Sequence, residues 1–193
     1  MHQLDSCDEK IDHVVFASGS GGTAAGISLG LTMAYHQNEN MPGLPKIHAV
    51  GVCDNPDYFY DTITTIAKDM DIDVSSFYEG KTRAYTSIEN FVRDHLIVHQ
   101  GKGRGYASST AEELDFIIQF AVETGICLDP VYSGKALYQF MKEIEENPDS
   151  YRNKRIVFWH TGGSLGNFEK IEALRAKLQS VSTVKRMDVY GRK

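Results

Sequence analysis

Long apolar runs are missing from this sequence: it nowhere reaches the roughly eighteen consecutive apolar residues that a membrane-spanning helix needs, so no membrane partner is expected. Cysteine is scarce. The three present, Cys7, Cys53 and Cys127, are far apart and in no C-x-x-C arrangement, which argues against a disulfide framework or a thiolate zinc site and fits a reducing compartment. Basic charge is in deficit as well. Twenty Lys and Arg against twenty-six Asp and Glu give a net charge of -6 over 193 residues, which disfavours nucleic acid, whose binding faces neutralise phosphates with cations. The first ten residues, Met1 to Lys10, are polar and acidic where a secretory or transit peptide is apolar or Arg-rich.

What remains has the composition of an ordinary globular protein, 41% hydrophobic and 24% charged. Ile11 to Ala17 is a short, partly β-branched apolar run that stops at a glycine cluster and reads as a buried strand. Thr23 to Gln37, free of proline and rich in Ala, Leu and Met, reads as a helix. Lys46 to Val52 reads as a second strand. Asn55-Pro56-Asp57 then starts a helix running from Tyr58 to Met70. This β-α-β-α alternation predicts a parallel sheet. Between Ile72 and Ser108 glycines break the pattern, and loops with one short helix, Ile88 to His95, are expected. Ser109-Thr110 caps a helix through Glu123 that ends at Gly125. Leu128 to Gly134 is a short connecting segment, Lys135 to about Glu146 a helix, Arg155 to His160 the strongest strand, and Asn167 to Gln179 a final helix. Three regions result: a polar lead-in at 1–10, one globular portion at 11–180, and a basic tail at 181–193 expected to fray.

Three glycine- or hydroxyl-bearing turns fall where an open α/β sheet binds ligands, beyond the carboxyl ends of its strands. The first is Gly19-Ser20-Gly21-Gly22-Thr23, where amides at a helix N-terminus, with the hydroxyls of Ser20 and Thr23, could hold a phosphate without any nearby cation. The bland alternative is a glycine turn that lets helix pack on strand. A dinucleotide site fits less well, because the first acidic residue after the second strand, Asp54, lies beyond the usual ribose-ligand spacing. A Walker loop is excluded: Gly26 is followed by Ile27, and Gly134-Lys135 has Asp129 where the leading glycine belongs. The second turn is Tyr132-Ser133-Gly134-Lys135 and the third is His160-Thr161-Gly162-Gly163, together offering hydroxyls and a phenol for hydrogen bonding and proton handling. Tyr132 could equally be a half-buried aromatic, and Thr161 a helix cap. His95 and His99, four apart, could share a helix face as half a metal site; with no carboxylate or cysteine at matching spacing, surface or loop histidines are preferred and no metal is expected. Gly101 to Tyr106, with Lys102 and Arg104, is read as a mobile glycine-rich loop.

Three segments in this order resemble the pyridoxal-phosphate (PLP) dependent family of D-cysteine desulfhydrase and 1-aminocyclopropane-1-carboxylate (ACC) deaminase. They are Ala17 to Gly26, Leu128 to Ala136 (LDPVYSGKA) and His160 to Gly163, within a similarity running from about Ile11 to Phe168. The resemblance implies an α/β fold: a three-layer, open, mostly parallel sheet flanked by helices, like the tryptophan synthase β subunit (type II PLP fold), incomplete at its N-terminus. It implies that Ser20, Gly21, Gly22 and Thr23 hold the phosphate, that Tyr132 assists proton transfer at the substrate, and that Ser133 and Thr161 lie near the pyridine nitrogen. Small hydroxyl residues at 133 and 161 favour the desulfhydrase over the deaminase, which resembles it but carries Glu after the tyrosine. A carboxylate there would keep the ring nitrogen protonated, which a hydroxyl does not.

The resemblance further implies a small amino-acid substrate, a homodimer at full length, and conversion of D-cysteine to pyruvate, hydrogen sulfide and ammonia by α,β-elimination. The lysine that joins the cofactor as a Schiff base lies, in such enzymes, far upstream of the glycine loop, and no counterpart is found here. Lys135 belongs to the tyrosine motif and is not that lysine. The chain alone is therefore expected to be inactive, and its sheet to present an open edge and an uncovered apolar face. A cytoplasmic location is expected, organelle targeting staying open because a targeting peptide would lie upstream. The competing reading from another class is a nucleotide- or phosphate-binding module with no catalytic role.

Overall fold

The first apolar run becomes the inner strand on which everything else is hung. A computed structural model describes residues 10–37, 43–76, 78–79 and 83–181. β1 (His13–Ser18) leads through the glycine turn into α1 (Gly22–Gln37), and β2 (Lys46–Gly51) leads into α2 (Pro56–Asp69). Two short strands, β3 (Tyr78–Glu79) and β4 (Arg83–Ala84), precede α3 (Ile88–His95) and β5 (Ile97–Gln100). Then come α4 (Ala111–Thr124), α5 (Ser133–Glu146), α6 (Pro148–Tyr151), β6 (Ile156–Trp159), α7 (Gly166–Glu169) and α8 (Ile171–Val181). Four strands form one parallel sheet in the order β5-β2-β1-β6, with Val14 beside Ile47 and Val157, and His48 beside Ile97. β3 and β4 pair separately and antiparallel. No helix among the described residues is long and apolar enough to cross a membrane.

Strand side chains alternate between faces, so a strand buried on both sides feeds two cores. Val14, Phe16, Ile47 and Ala49 face α1, α2 and α3, where they meet Ala24, Leu29, Phe59, Ile63 and Phe91. Val15, Ala17 and Val50 face α5 and α6, packing on Ala136, Phe140 and Tyr151. A third cluster, including Leu114, Ile117, Leu137 and Leu174, binds α4 and α8 to the outer side of α5. The expected three layers are present. Local signals start and stop the helices as read: Asn55 caps α2 ahead of Pro56, Thr110 and Glu113 form a capping box on α4, and Gly125 closes α4 in the left-handed conformation.

The α5 side of the sheet carries an unforeseen feature. Nδ1 of His13 lies 2.9 Å from Nε2 of His48, and Nδ1 of His48 lies 2.8 Å from Nε2 of His99, a ladder of imidazoles across β1, β2 and β5. Beyond it Glu143 lies 3.8 Å from Nδ1 of His99 and accepts a hydrogen bond from the Tyr151 hydroxyl at 3.3 Å. Burial holds His48 neutral, pushing it down to about 3 with help from the neighbouring imidazoles, and it lowers His13 and His99 too, Glu143 opposing it at His99.

Four expectations need correction. A fourth sheet strand, β5, lies in the stretch read as loops and one short helix. His95 and His99 share no helix face: His95 ends α3, where its Nδ1 lies 2.8 Å from the Phe91 carbonyl, while His99 sits in β5 and is partly buried, not a surface residue. The Tyr132 turn follows no strand among the described residues; it is the lead-in to α5. The final helix is broken at Lys170 into α7 and α8. The lead-in up to residue 9 and the tail from 182 lie outside the described residues.

Candidate active site

At the end of β1 the chain must turn sharply and launch α1, and Gly21 does so with φ of +86°, a conformation that side-chain-bearing residues rarely adopt. Its carbonyl accepts from the Ala25 amide at 2.8 Å, so the helix begins at once. The first amides of any helix have no partner within it. Here Gly22 and Thr23 are exposed, and the exposed Ser20 stands beside them. The Cys53 thiol, at the end of β2, donates to the Gly19 carbonyl at 3.0 Å and steadies the turn from behind.

Tyr132 closes one wall. A Cβ at Gly19 would stand 2.8 Å from the tyrosine ring, so glycine there is what admits the aromatic against the turn. A cavity of about 300 Å³ is lined by Ala17, Gly19, Ser20, Gly21, Thr23, Tyr132, Thr161, Gly162 and Gly163. The three turns singled out in the sequence therefore meet around one space, at the carboxyl ends of β1 and β6. That volume is at the small end of ordinary small-molecule sites. Thr161 is exposed on its rim and caps no helix, since α7 starts only at Gly166.

Ser133 is placed differently from its neighbours. It is buried, its hydroxyl donates to the Asp129 carboxylate at 2.7 Å and accepts from the Asp129 amide at 2.9 Å, and it is not among the residues lining the cavity. Asp129 is the organiser of this corner. Fully buried, it accepts from the amides of Val131, Tyr132 and Ser133 at 2.8–2.9 Å as well as from the Ser133 hydroxyl, so the N-terminus of α5 is capped by a carboxylate four residues upstream. It also touches the third turn, for a Cβ at Gly163 would lie 2.6 Å from its Oδ1. The spacing Asp-Pro-x-x-Ser before a helix was the available signal, an aspartate bonding to backbone a few residues on.

A second residue that sequence reasoning passed over is Tyr106. Its hydroxyl lies 2.6 Å from that of Tyr132, the two rings edge to face at 6.0 Å. That contact, with burial and the nearby Asp129 and Cys53 adding to it, pushes the Tyr132 phenol up to about 12. Raised in this way, the Tyr132 phenol stays protonated near neutral pH and shares one short hydrogen bond with Tyr106, a donor and not a base. Lys135 is buried one turn into α5, with its ammonium bonded to the carbonyls of Lys102 and Gly105 and not lining the cavity. It is therefore distinct from any lysine that would meet a ligand there. Among the described residues no cluster of His, Cys, Asp and Glu could hold a metal.

The residues present suit a phosphorylated aromatic ring. Ser20, Thr23 and Thr161 bring hydroxyls to the cavity, Tyr132 a phenol and the two glycine turns open backbone, the groups that a phosphate and a flat ring need. The chain is 40% identical over 182 residues to a mitochondrial bifunctional D-cysteine desulfhydrase/1-aminocyclopropane-1-carboxylate deaminase of Arabidopsis thaliana, covering 94% of this chain and 39% of that protein. It is 32% identical over 167 residues to a putative 1-aminocyclopropane-1-carboxylate deaminase of Thermotoga maritima, covering 86% and 46% respectively. The crystal structure of an ACC deaminase homologue superposes with a TM-score of 0.61 over 91% of this chain and 47% of that one, at 24% identity, which speaks for the fold. The chain thus spans less than half the length of these relatives. Residues 1–162 match the family described as pyridoxal-phosphate dependent enzyme, and the chain belongs to that family.

Proposed function

We propose that the chain provides the phosphate and substrate side of a PLP-dependent carbon-sulfur lyase of the D-cysteine desulfhydrase kind. The observation that carries this is the meeting of the glycine turn, Tyr132 and Thr161 around one cavity. Bound PLP supplies an electron sink that lets an amino acid lose its α-proton and then a β-thiolate. The amides at the start of α1, with Ser20 and Thr23, bind the phosphate. Glycines 162 and 163 would leave room for the ring, and Thr161 would offer it a hydroxyl. Tyr132 stays protonated and would donate a hydrogen bond to the departing thiolate without giving up its proton, with Tyr106 holding the phenol in place. Ser133 acts at one remove: its hydroxyl holds Asp129, which holds the Tyr132 turn.

The hydroxyl residue Thr161 on the cavity favours desulfhydrase over ACC deaminase activity, since a hydroxyl cannot keep a ring nitrogen charged, and Ser133, which the cavity does not reach, offers no carboxylate there either. We place the protein in a reducing compartment, in keeping with free Cys53 and Cys127; cytoplasm is our reading, and the plant relative's name makes the mitochondrion the alternative. A homodimer with a small amino-acid substrate completes the proposal.

The test uses the single tryptophan, Trp159, which ends β6 two residues before Thr161. Saturable quenching of its fluorescence by PLP, competed by inorganic phosphate and lost in Gly21→Val, supports the site; quenching that survives Gly21→Val overturns it. With the chain joined to the lysine-bearing upstream portion of a relative, equal release of sulfide and pyruvate from D-cysteine supports the desulfhydrase, ammonia from ACC without sulfide from D-cysteine favours the deaminase, and cofactor binding with neither product favours a non-catalytic binding module.

A further inference from the structure

Lys135 is a puzzle of burial. It is 1% exposed on α5, in a position where a methionine would fill the same space without desolvating a charge. Burial lowers its tendency to hold a proton, with Glu113 opposing and Lys170 adding to the effect. An ammonium is tolerated in such a place when its donors are used. Its Nζ donates to the carbonyl of Lys102 at 2.7 Å and to that of Gly105 at 2.8 Å. These carbonyls bracket one loop, and the next residue is Tyr106.

The loop is otherwise held mainly by short local bonds. Its entry is fixed where the Gly101 amide reaches the Gly51 carbonyl at 2.8 Å, and the Gly105 amide closes a turn on the Lys102 carbonyl at 3.0 Å. Four residues beyond Gly105, the hydroxyl of Ser109 donates to the Pro130 carbonyl at 2.9 Å. Glu113 on α4 lies against the middle of the loop, where a Cβ at Gly103 would come 3.0 Å from its Oε1 and 3.6 Å from the lysine Nζ. Lys135 and Tyr132 stand three apart at the start of α5. One turn of helix therefore presents both the phenol and the ammonium that fastens the loop bearing the second phenol.

We infer that Lys135 is a positioning residue: by clamping the carbonyls of Lys102 and Gly105 it sets the Tyr106 hydroxyl onto that of Tyr132. This deepens the reading of the same cavity, since it names what keeps the phenol pair in register, and it gives the lysine of the tyrosine motif a role apart from the covalent chemistry of a Schiff base.

The phenols themselves report the clamp, with no cofactor present. In protein labelled with ¹³Cζ-tyrosine, the Tyr132 resonance, assigned through Tyr132→Phe, is expected to stay unshifted up to about pH 11, where an ordinary phenol of pKa about 10 is largely ionised. Tyr106→Phe removes the shared hydrogen bond and sets the full effect, a downward move of the Tyr132 midpoint by about one pH unit or more. Lys135→Met is expected to reproduce most of that move with the spectrum otherwise folded. Should Lys135→Met fail to fold, Gly105→Ala decides, because it strains the loop at a φ of +131° with open space around it and leaves the buried lysine in place. A Tyr132 midpoint unmoved by both Lys135→Met and Gly105→Ala, though lowered by Tyr106→Phe, overturns the clamp, as does a midpoint unmoved by Tyr106→Phe itself. The PLP-binding reading is judged separately by Trp159 quenching, so either can fail alone.

Discussion

The two faces of the parallel sheet are both buried and yet are built on different chemistry. Against α1, α2 and α3 the strands present Val14, Phe16, Ile47 and Ala49 to a cluster led by Phe59, Ile63 and Phe91. Against α5 and α6 the same strands present Val15, Ala17 and Val50 together with His13 and His48, and β5 adds His99. On the first face the strands contribute hydrocarbon, whose burial is insensitive to pH, and the imidazoles of that side, His36 and His95, sit on the helices α1 and α3. On the second the strands themselves carry imidazoles that must stay neutral to accept one another's protons. One sheet can thus present hydrocarbon to one layer and a titratable seam to the other.

The sharpest way to break that contrast is to damage the carbon face. Phe59 is fully buried beneath Gly51, and Phe59→Ala is expected to cost about 3–5 kcal/mol in denaturant unfolding, by the same amount at pH 7.5 and pH 5.5. A cost that changes strongly with pH would show that the two faces are not independent. Next in size is the acid response of the histidine seam. In the unfolded chain these histidines titrate near 6.5, whereas in the fold all three are lowered, His48 to about 3. Below about 6.5 the unfolded state takes up protons first, so stability is intact above that pH and is lost as pH falls towards 3. For His48 alone the full loss is on the order of a few kcal/mol. His48→Phe is expected to flatten this acid limb in urea titrations; an unchanged slope would place the acid sensitivity elsewhere.

How far the sequence shows such features depends on whether their cause is local. The Asn55-Pro56 start of α2, the Thr110 to Glu113 box and the Gly125 stop were legible because a cap is decided within about five residues. The meeting of the glycine turn and Thr161 was legible too, because a parallel sheet sends the carboxyl ends of its strands to one edge, whereas Tyr132, which follows no strand, came from the family resemblance. The four-residue β5 was not, since His99 and Gln100 interrupt its apolar signal and a glycine loop follows at once. The histidine seam needs the registers of three strands, which period and propensity do not contain. Tyr106 and the hydroxyl of Ser133 escaped for the same reason: each is defined by a partner, Tyr132 in one case and Asp129 in the other, that only the fold brings to it. His13 and His48 did carry a weak sign, a polar residue inside runs otherwise apolar on both faces.

The smallest effect sharpens the comparison from the alkaline side. Tyr151 packs with Phe140 over the seam and donates to Glu143, whose carboxylate is the charge facing His99. Burial first, and then Glu143, push its phenol up to about 12, above the value of about 10 in an unfolded chain. A group whose folded value is raised adds stability that is present below about 10 and is lost as pH rises through the folded value. Tyr151→Phe keeps the ring and removes one hydrogen bond, at a net cost of about 0.5–1.5 kcal/mol near neutral pH. It should also remove part of the alkaline decline while leaving the acid limb unchanged, because the imidazoles are untouched. Urea midpoints at pH 5, 7.5 and 10.5 read all three effects in one experiment. A Tyr151→Phe protein that loses its acid limb would mean that Glu143, freed of the phenol, turns to His99 and stabilises the charged seam, making the hydroxyl the part that keeps the histidines neutral.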